Sequence, residues 1–424
     1  MRAGRARKVA GLLAGVVVVR MAFHALWLPA FEGPDEPHHL ARLLDFARRP
    51  LGEAFRGDRV PADVVAAVRA SPCPRADAGC PPYGSEAAAF NLLREPPAPG
   101  PADEIPNQEA KQPPLYYLVA GLLLRLAPGA PTPASALLSA RLFSVGLVAA
   151  ALFGPLRTLS RGRPPAFALA GLLALLLPGA SEGLARCSND AAVFLWASLV
   201  VAAVEKRSAG LPAGILLGCG LFLKLTALPV AAFGFLALLD EGRWAPALLG
   251  AAVSSLVVPV QALRGGAWGE MAHFGRLVEP VSATAVGLAR TAYSFVKTIF
   301  WTGGWSLVRP PRALVAFYAI LVVSALAAWR PRARPVHLPA HAVAVAVGAA
   351  GVAAYSLALR LTYGVWEGVP GWYFWGWSPW VAVAVSDLGT VSPSAARPLL
   401  WAGAVFALVA NVVSLRVHGA LFGW

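Results

Sequence analysis

VAGLLAGVVVVRMAFHALWLPAFEGPDEPHHLARLL, residues Val9 to Leu44, joins the two features that decide the fold. An apolar run from Val9 to Pro29 is followed at once by a carboxylate pair, Asp35 and Glu36, with His38 and His39 close behind. The run is long enough to cross roughly 30 Å of hydrocarbon as a helix. It follows the basic start MRAGRARK and lacks a small-residue cleavage site, so it reads as an uncleaved first span with a cytoplasmic N-terminus. Carboxylates are costly to desolvate, and a pair of them at a membrane boundary raises the question of chemistry at that surface.

Composition extends the reading to the whole chain. Of 424 residues, 57% are hydrophobic and only 14% charged, with a mean hydropathy of +0.61, which excludes an ordinary soluble domain. Apolar runs recur between short Pro, Gly and Arg punctuation. They predict an all-α, polytopic transmembrane helical bundle of about 11 spans with no need for strands. The formal charge of +14 does not point to nucleic acid, because the arginines sit in scattered short loops, the pattern that orients a membrane protein. Cys73 and Cys80 flank a short turn in the outer segment, where a disulfide and two free thiols are both open; Cys187 and Cys219 fall in or beside apolar spans.

Taken in order, residues 1–424 read as one domain, with residues 30–112 forming a large first extracytoplasmic loop that holds more than half of the acidic residues. Within it Ala62 to Ala70 is expected as an amphipathic helix on the membrane surface. Gln112 to Ala127 is apolar but short. If it crossed, Arg157, Arg161 and Arg163 would emerge outside, so it is expected as an interfacial or re-entrant helix. Ser135 to Leu156 then runs inward, and Pro165 to Ala180 returns outward to a second outer loop, Ser181 to Asp190. Asp190 opens the next inward helix, which ends at Glu205, Lys206 and Arg207. Leu211 to Leu239, with Lys224 in its middle and Pro229 after it, is expected as two broken helices that leave Lys224 near the outer face. Trp244 to Leu263 goes outward to a loop with Arg264, Glu270, His273 and Glu279, and Ala285 to Trp305 is mostly interfacial. Leu314 to Trp329, Val336 to Leu359, Tyr373 to Val385 and Leu399 to Leu415 complete the spans, with an aromatic loop from Arg360 to Trp372. There is no Walker motif, Gly-rich phosphate loop or zinc signature.

This topology gathers Asp35, Glu36, His38, His39, Lys111, Tyr116, Tyr117, Arg186, Asp190, Lys224 and Tyr373 on the outer side. Acids, bases and cations at one face suit a reaction in which a hydroxyl loses a proton and a phosphate leaves with its charge stabilised. Each residue also has a plainer reading. Asp35 and Asp190 are both natural helix N-caps, and Glu36 could be a solvated first-turn residue. His38 and His39 lie three and four residues from Asp35 on one helical face, a spacing open to a metal site that would include Asp190 and a divalent cation such as Mg or Mn. Lys224 in an apolar stretch must snorkel or meet an anion.

Five motifs stand in order along the chain: GPDEPHH (residues 33–39), QPPLYYL (112–118), SNDA (188–191), GLFLKLTAL (220–228) and GWYFWGWSP (371–379). In this order they resemble membrane glycosyltransferases of GT-C type, and more closely a bacterial branch whose members carry P-DE-P-H, PPLYY, SND and K-x-TAL. The resemblance implies a multi-pass enzyme of the bacterial inner (plasma) membrane and cell envelope. It would take a polyprenyl-phosphate-linked sugar as donor and invert the transferred sugar at the extracytoplasmic face, among membrane lipids, with a glycan, lipid or protein hydroxyl as acceptor. It makes Asp35 the base with Glu36 in support, and assigns Lys111, Gln112, Tyr116, Tyr117, Arg186, Lys224 and Tyr373 to the donor and its phosphate, with Asp190 as the acid of the second loop. One departure is Trp372-Tyr373, where related proteins tend to have Arg-Tyr; Arg360 or Arg186 would have to replace that cation. Two other classes stay in play: a transporter or flippase for a lipid-linked sugar, with charges buried on broken helices, and a non-catalytic assembly partner that kept the fold.

Overall fold

Apolar runs punctuated by proline can satisfy their backbone polar groups in lipid only as helices that stop and restart at each proline. A computed structural model of the chain has that architecture. It describes residues 3–31, 35–71, 105, 107–127, 129, 131–206, 210–263, 296, 298–301, 310–363 and 373–422. The helices are α1 (Ala3–Trp27), α2 (Glu36–Arg48), α3 (Leu51–Ala54), α4 (Ala62–Ala70), α5 (Leu115–Arg125), α6 (Pro133–Phe153), α7 (Pro155–Arg161), α8 (Pro165–Leu175) and α9 (Pro178–Ala185). They continue as α10 (Asp190–Glu205), α11 (Leu211–Leu223), α12 (Leu228–Asp240), α13 (Trp244–Ser255), α14 (Val257–Leu263), α15 (Arg312–Ala328), α16 (Leu338–Tyr363), α17 (Tyr373–Leu388) and α18 (Pro393–Phe422). The Cys73–Cys80 pair, the segment from Arg264 through Glu279, most of Ala285 to Trp305 and Trp372 lie outside the described residues, as do the side chains of Lys111, Arg360 and Tyr373.

Among the described residues three helices are long and apolar enough to cross a membrane, Ala6–Trp27, Pro133–Arg161 and Pro393–Ala420. The pair α8 and α9 would add a fourth, bent by 70° at Leu176 and Leu177. The bend follows from Leu177, held extended because Pro178 comes next. Several shorter apolar helices fill the rest, among them Leu115–Arg125, Leu211–Leu223 and Arg312–Ala328. At 11 residues α5 is about 16 Å long, too short to cross, in keeping with an interfacial or re-entrant element.

Three expectations change. Two three-residue strands do form: β1 (Trp329–Pro331) pairs antiparallel with β2 (Gly389–Val391), joining the ends of α15 and α17. The second outer loop is helical over its first half, since Ser181 to Ala185 belong to α9, every residue of which is buried. Helix α4 has the expected bounds but packs its stripe of Val64, Val65 and Val68 against α2 and α6 instead of lying on a membrane surface.

Charges sort the helix ends into two faces. On one, Arg7 reaches the Arg161 carbonyl, Arg163 bridges Glu205 and Asp387, and Asp387 accepts from His341 Nε2 at 3.2 Å. His337 meets Asp240 there, beside the β1–β2 ladder. The opposite face holds the end of α1, the start of α2 and the break between α11 and α12. Close approaches tie the helices together where side chains are absent. A Cβ on Gly121 of α5 would lie 2.6 Å from Phe46 Cβ of α2. On α11, Gly214 and Gly218 lie one turn apart and pack directly onto Pro246 and Val253 of α13, the small-residue contact that lets membrane helices approach closely. Gly218→Leu is expected to lower stability by about 1–3 kcal/mol through overpacking, read as thermal unfolding in detergent.

Candidate functional site

The start of α2 is built around a strained residue. Asp35 occupies the N-cap position with φ 57°, in the left-handed region, and its side chain makes no capping hydrogen bond. Capping therefore does not account for it. Backbone strain of this kind persists only where the surroundings impose it. The carboxylate has no hydrogen-bond partner among the described residues and stays half-buried. Burial, and after it the Glu109 carboxylate, raises its pKa to about 6, against the milder pull of His39, Lys224 and Arg186. A carboxylate poised there can accept a proton near neutral pH.

Glu36, next in the chain, has a different task. Arg141 grips it with two hydrogen bonds, Nε to Oε1 at 2.9 Å and Nη2 to Oε2 at 2.6 Å, and the Cys187 N–H donates to Oε1 at 3.0 Å. Arg141 also donates to the carbonyls of Leu28 at 2.8 Å and Pro29 at 2.9 Å. Burial pushes the Glu36 pKa up, but the charge and hydrogen bonds of Arg141, with the Cys187 N–H, outweigh it and hold the carboxyl below its ordinary value. Glu36 thus fastens α2 to α1, α6 and the 186–189 segment. The structure makes it a scaffold for Asp35 more than a reacting group.

Behind Asp35 lies a second buried chain of polar groups. His39 Nδ1 is 2.7 Å from Tyr117 Oη, and Tyr117 donates to Glu109 Oε2 at 2.7 Å. Glu109 ends up here because Asn107 caps its N–H at 3.0 Å and the backbone of 58–60 pairs with that of 105 and 107. Burial raises the Glu109 pKa and lowers that of His39, the latter to about 4. Tyr116 packs inward beside Ser144 and Phe143, and both tyrosines are fully enclosed, so neither lines an open groove.

The helix break falls where Lys224 and Pro229 predicted it. Lys224 is extended between α11 and a 3₁₀ turn, Leu225–Ala227, and the carbonyls freed by the break are capped by side chains. Asn189 donates to Leu223 at 3.0 Å and Trp377 to Thr226 at 2.5 Å. Lys224 Nζ meets Asp190 Oδ1 at 2.7 Å, with 5% and 7% of the two residues exposed. Asp190 is thus an ion-pair partner and not a cap; the cap position belongs to Asn189. Arg186, 4% exposed, lies close enough to act electrostatically on Asp35, Glu36 and His24.

Asp35, Glu36, His39, Tyr117, Arg186, Asp190 and Lys224 therefore do converge, joined by Arg141 and Glu109, which the sequence reading did not single out. Gln112 is half-buried, three residues before the start of α5. Among the described residues no three His, Cys, Asp or Glu side chains are arranged to ligate a metal ion. Of the four suggested for one, His38 bonds Asn107, His39 faces Tyr117 and Asp190 holds Lys224, while the Asp35 carboxylate makes no hydrogen bond among the described residues. A further buried polar group, Glu182 with Ser414 and His418, joins α9 to α18 nearby. Comparisons of the chain with protein-family models, with curated proteins and with solved structures found no match.

Proposed function

We propose that the chain is a membrane glycosyltransferase of GT-C type. In this reading it crosses the bacterial plasma membrane about 11 times, with its Arg-rich face cytoplasmic and Asp35 on the extracytoplasmic side. The observation that carries the proposal is the uncapped Asp35 carboxyl, titrating near neutral pH beside the buried cations Lys224 and Arg186.

Asp35 takes the proton of an acceptor hydroxyl as its oxygen attacks the anomeric carbon of a polyprenyl-phosphate sugar. The bond from that carbon to the phosphate oxygen breaks, the configuration inverts, and polyprenyl phosphate leaves with the bonding electrons. Lys224 and Arg186, with Lys111 from the preceding loop, hold the developing phosphate charge, and Asp190 keeps Lys224 in place until the donor arrives.

The test is transfer by the purified chain in lipid nanodiscs, from radiolabelled polyprenyl-phosphate sugars to a membrane-extract acceptor pool, with and without chelator. Label moving to acceptor, and free polyprenyl phosphate appearing with it, is the expected result. The ion pair Lys224–Asp190, buried at a helix break, also fits a carrier for lipid-linked sugar. Donor crossing the bilayer of proteoliposomes with no bond broken would establish that reading and overturn the enzyme.

A further inference from the structure

The hydrogen bonds around Tyr117 run in one direction. Its hydroxyl donates to Glu109 Oε2, and a hydroxyl has one proton, so the contact to His39 requires the ring to donate from Nδ1–H. Glu109 Oε2 lies 3.4 Å from the same Nδ1 and favours the proton there as well. The lone pair of the neutral ring is then on Nε2, which has no partner among the described residues. The ring stays neutral because burial, and then the charge of Lys224, opposes protonation against the weaker pull of Asp35, Asp190 and Glu36. His39 sits one helical turn beyond Asp35, its N–H bonded to the Asp35 carbonyl at 2.9 Å.

Two hydrogen-bond acceptors, one turn apart and both without donors among the described residues, select a ligand that offers two O–H groups. Resting on the glycosyltransferase reading, we propose that His39 Nε2 is an acceptor-binding atom. It receives a hydrogen bond from the hydroxyl next to the one that Asp35 deprotonates, and the acceptor is a carbohydrate presenting neighbouring hydroxyls. A serine side chain or a simple lipid alcohol offers only one. Glu109 and Tyr117 are positioning residues, which set the tautomer without touching the sugar.

Glu109→Gln tests this by reversing polarity at nearly constant shape. With its amide nitrogen turned to Tyr117 the new side chain donates to Tyr117 Oη, the Tyr117 proton turns toward His39 Nδ1, and the ring proton moves to Nε2, so the accepting edge becomes a donating one; with its carbonyl oxygen there the wild-type tautomer is kept and acceptor KM should not change. Full-length protein labelled with ¹⁵N-histidine in nanodiscs, with His39→Gln used for assignment, is expected to show Nδ1–H in the wild type and Nε2–H in the variant. Methyl glycosides with neighbouring hydroxyls should shift the His39 Nε2 resonance of the wild type, and their monodeoxy analogues should not. In transfer assays well above the Asp35 inflection the variant should raise acceptor KM roughly tenfold, the worth of one hydrogen bond, and leave donor KM unchanged, while the inflection itself moves to lower pH because the Glu109 charge no longer acts on Asp35. Tyr117→Phe, which leaves Nδ1–H facing Glu109, should raise it less. Glycosides that leave His39 unmoved, or a switched tautomer with unchanged acceptor KM, would overturn the proposal. Absence of transfer from every donor would instead overturn the glycosyltransferase reading, and the glycoside titration would still decide the role of His39.

Discussion

Arg141→Met is expected to destabilise the protein by about 3–5 kcal/mol. The guanidinium is 3% exposed and Glu36 is fully buried. Removing the cation leaves a carboxylate in a medium that cannot solvate it, and the carbonyls of Leu28 and Pro29 lose donors at the same time. A fall of roughly 10 °C in the melting temperature in detergent is the expected reading. Glu36→Met alone should cost a similar amount, because it strands the cation. The double change should be milder than the sum, since a well-packed apolar pair avoids the desolvation that the ion pair must offset. Strictly additive losses would show that the two side chains do not act on each other. The pH dependence has a definite sign. The folded-state pKa of Glu36 is depressed, so its stabilisation is present at neutral pH and is lost as pH falls below the ordinary carboxylate range. The double variant should lack that acid limb.

That pair also marks where the sequence stops being legible. The helices and their breaks follow from local chemistry. Pro229 has no N–H to continue α11 and Pro178 forces Leu177 to extend, so the break at Lys224 could be read directly from the chain. The acids and cations of the candidate site were also readable, because charge next to an apolar span needs a reason. Their partners were not. Arg141 was visible as a charge inside an apolar run, but nothing within a few residues tells that it closes on Glu36, 105 positions earlier. Glu109 looks like any loop acid, and it enters the site only because Asn107 and the pairing of residues 58 and 60 with 105 and 107 hold it against Tyr117. The three-residue strands are too short for an alternating pattern to announce them. Asp35 and Asp190 carry equally good local capping signatures, and only tertiary contacts show that neither uses them.

Asp35→Asn is expected to lower transfer by roughly 10³-fold while making the protein more stable, and it is the combination that is diagnostic. Asparagine keeps the shape, tolerates the left-handed backbone at φ 57° and cannot take a proton. The folded-state pKa is raised from its ordinary value to about 6, so ionising Asp35 favours the unfolded chain. Below the ordinary value both states hold the proton and the residue costs nothing. As pH rises through the interval up to about 6 the folded state gives up stability relative to the unfolded one, and by pH about 7.5 the loss is complete. The variant should therefore melt a few degrees above the wild type at pH about 7.5 and show no advantage near pH 4, where the wild-type carboxyl is protonated. Transfer by the wild type should rise with pH through an inflection near 6, as a base must be ionised to act. Retained transfer would remove Asp35 from the chemistry. A variant that is inactive but melts lower at every pH would make Asp35 a structural anchor, its strained backbone serving the fold. On the glycosyltransferase proposal, a site that spends stability to keep an unpaired carboxylate beside two buried cations does so for what arrives there, a hydroxyl with a proton to lose.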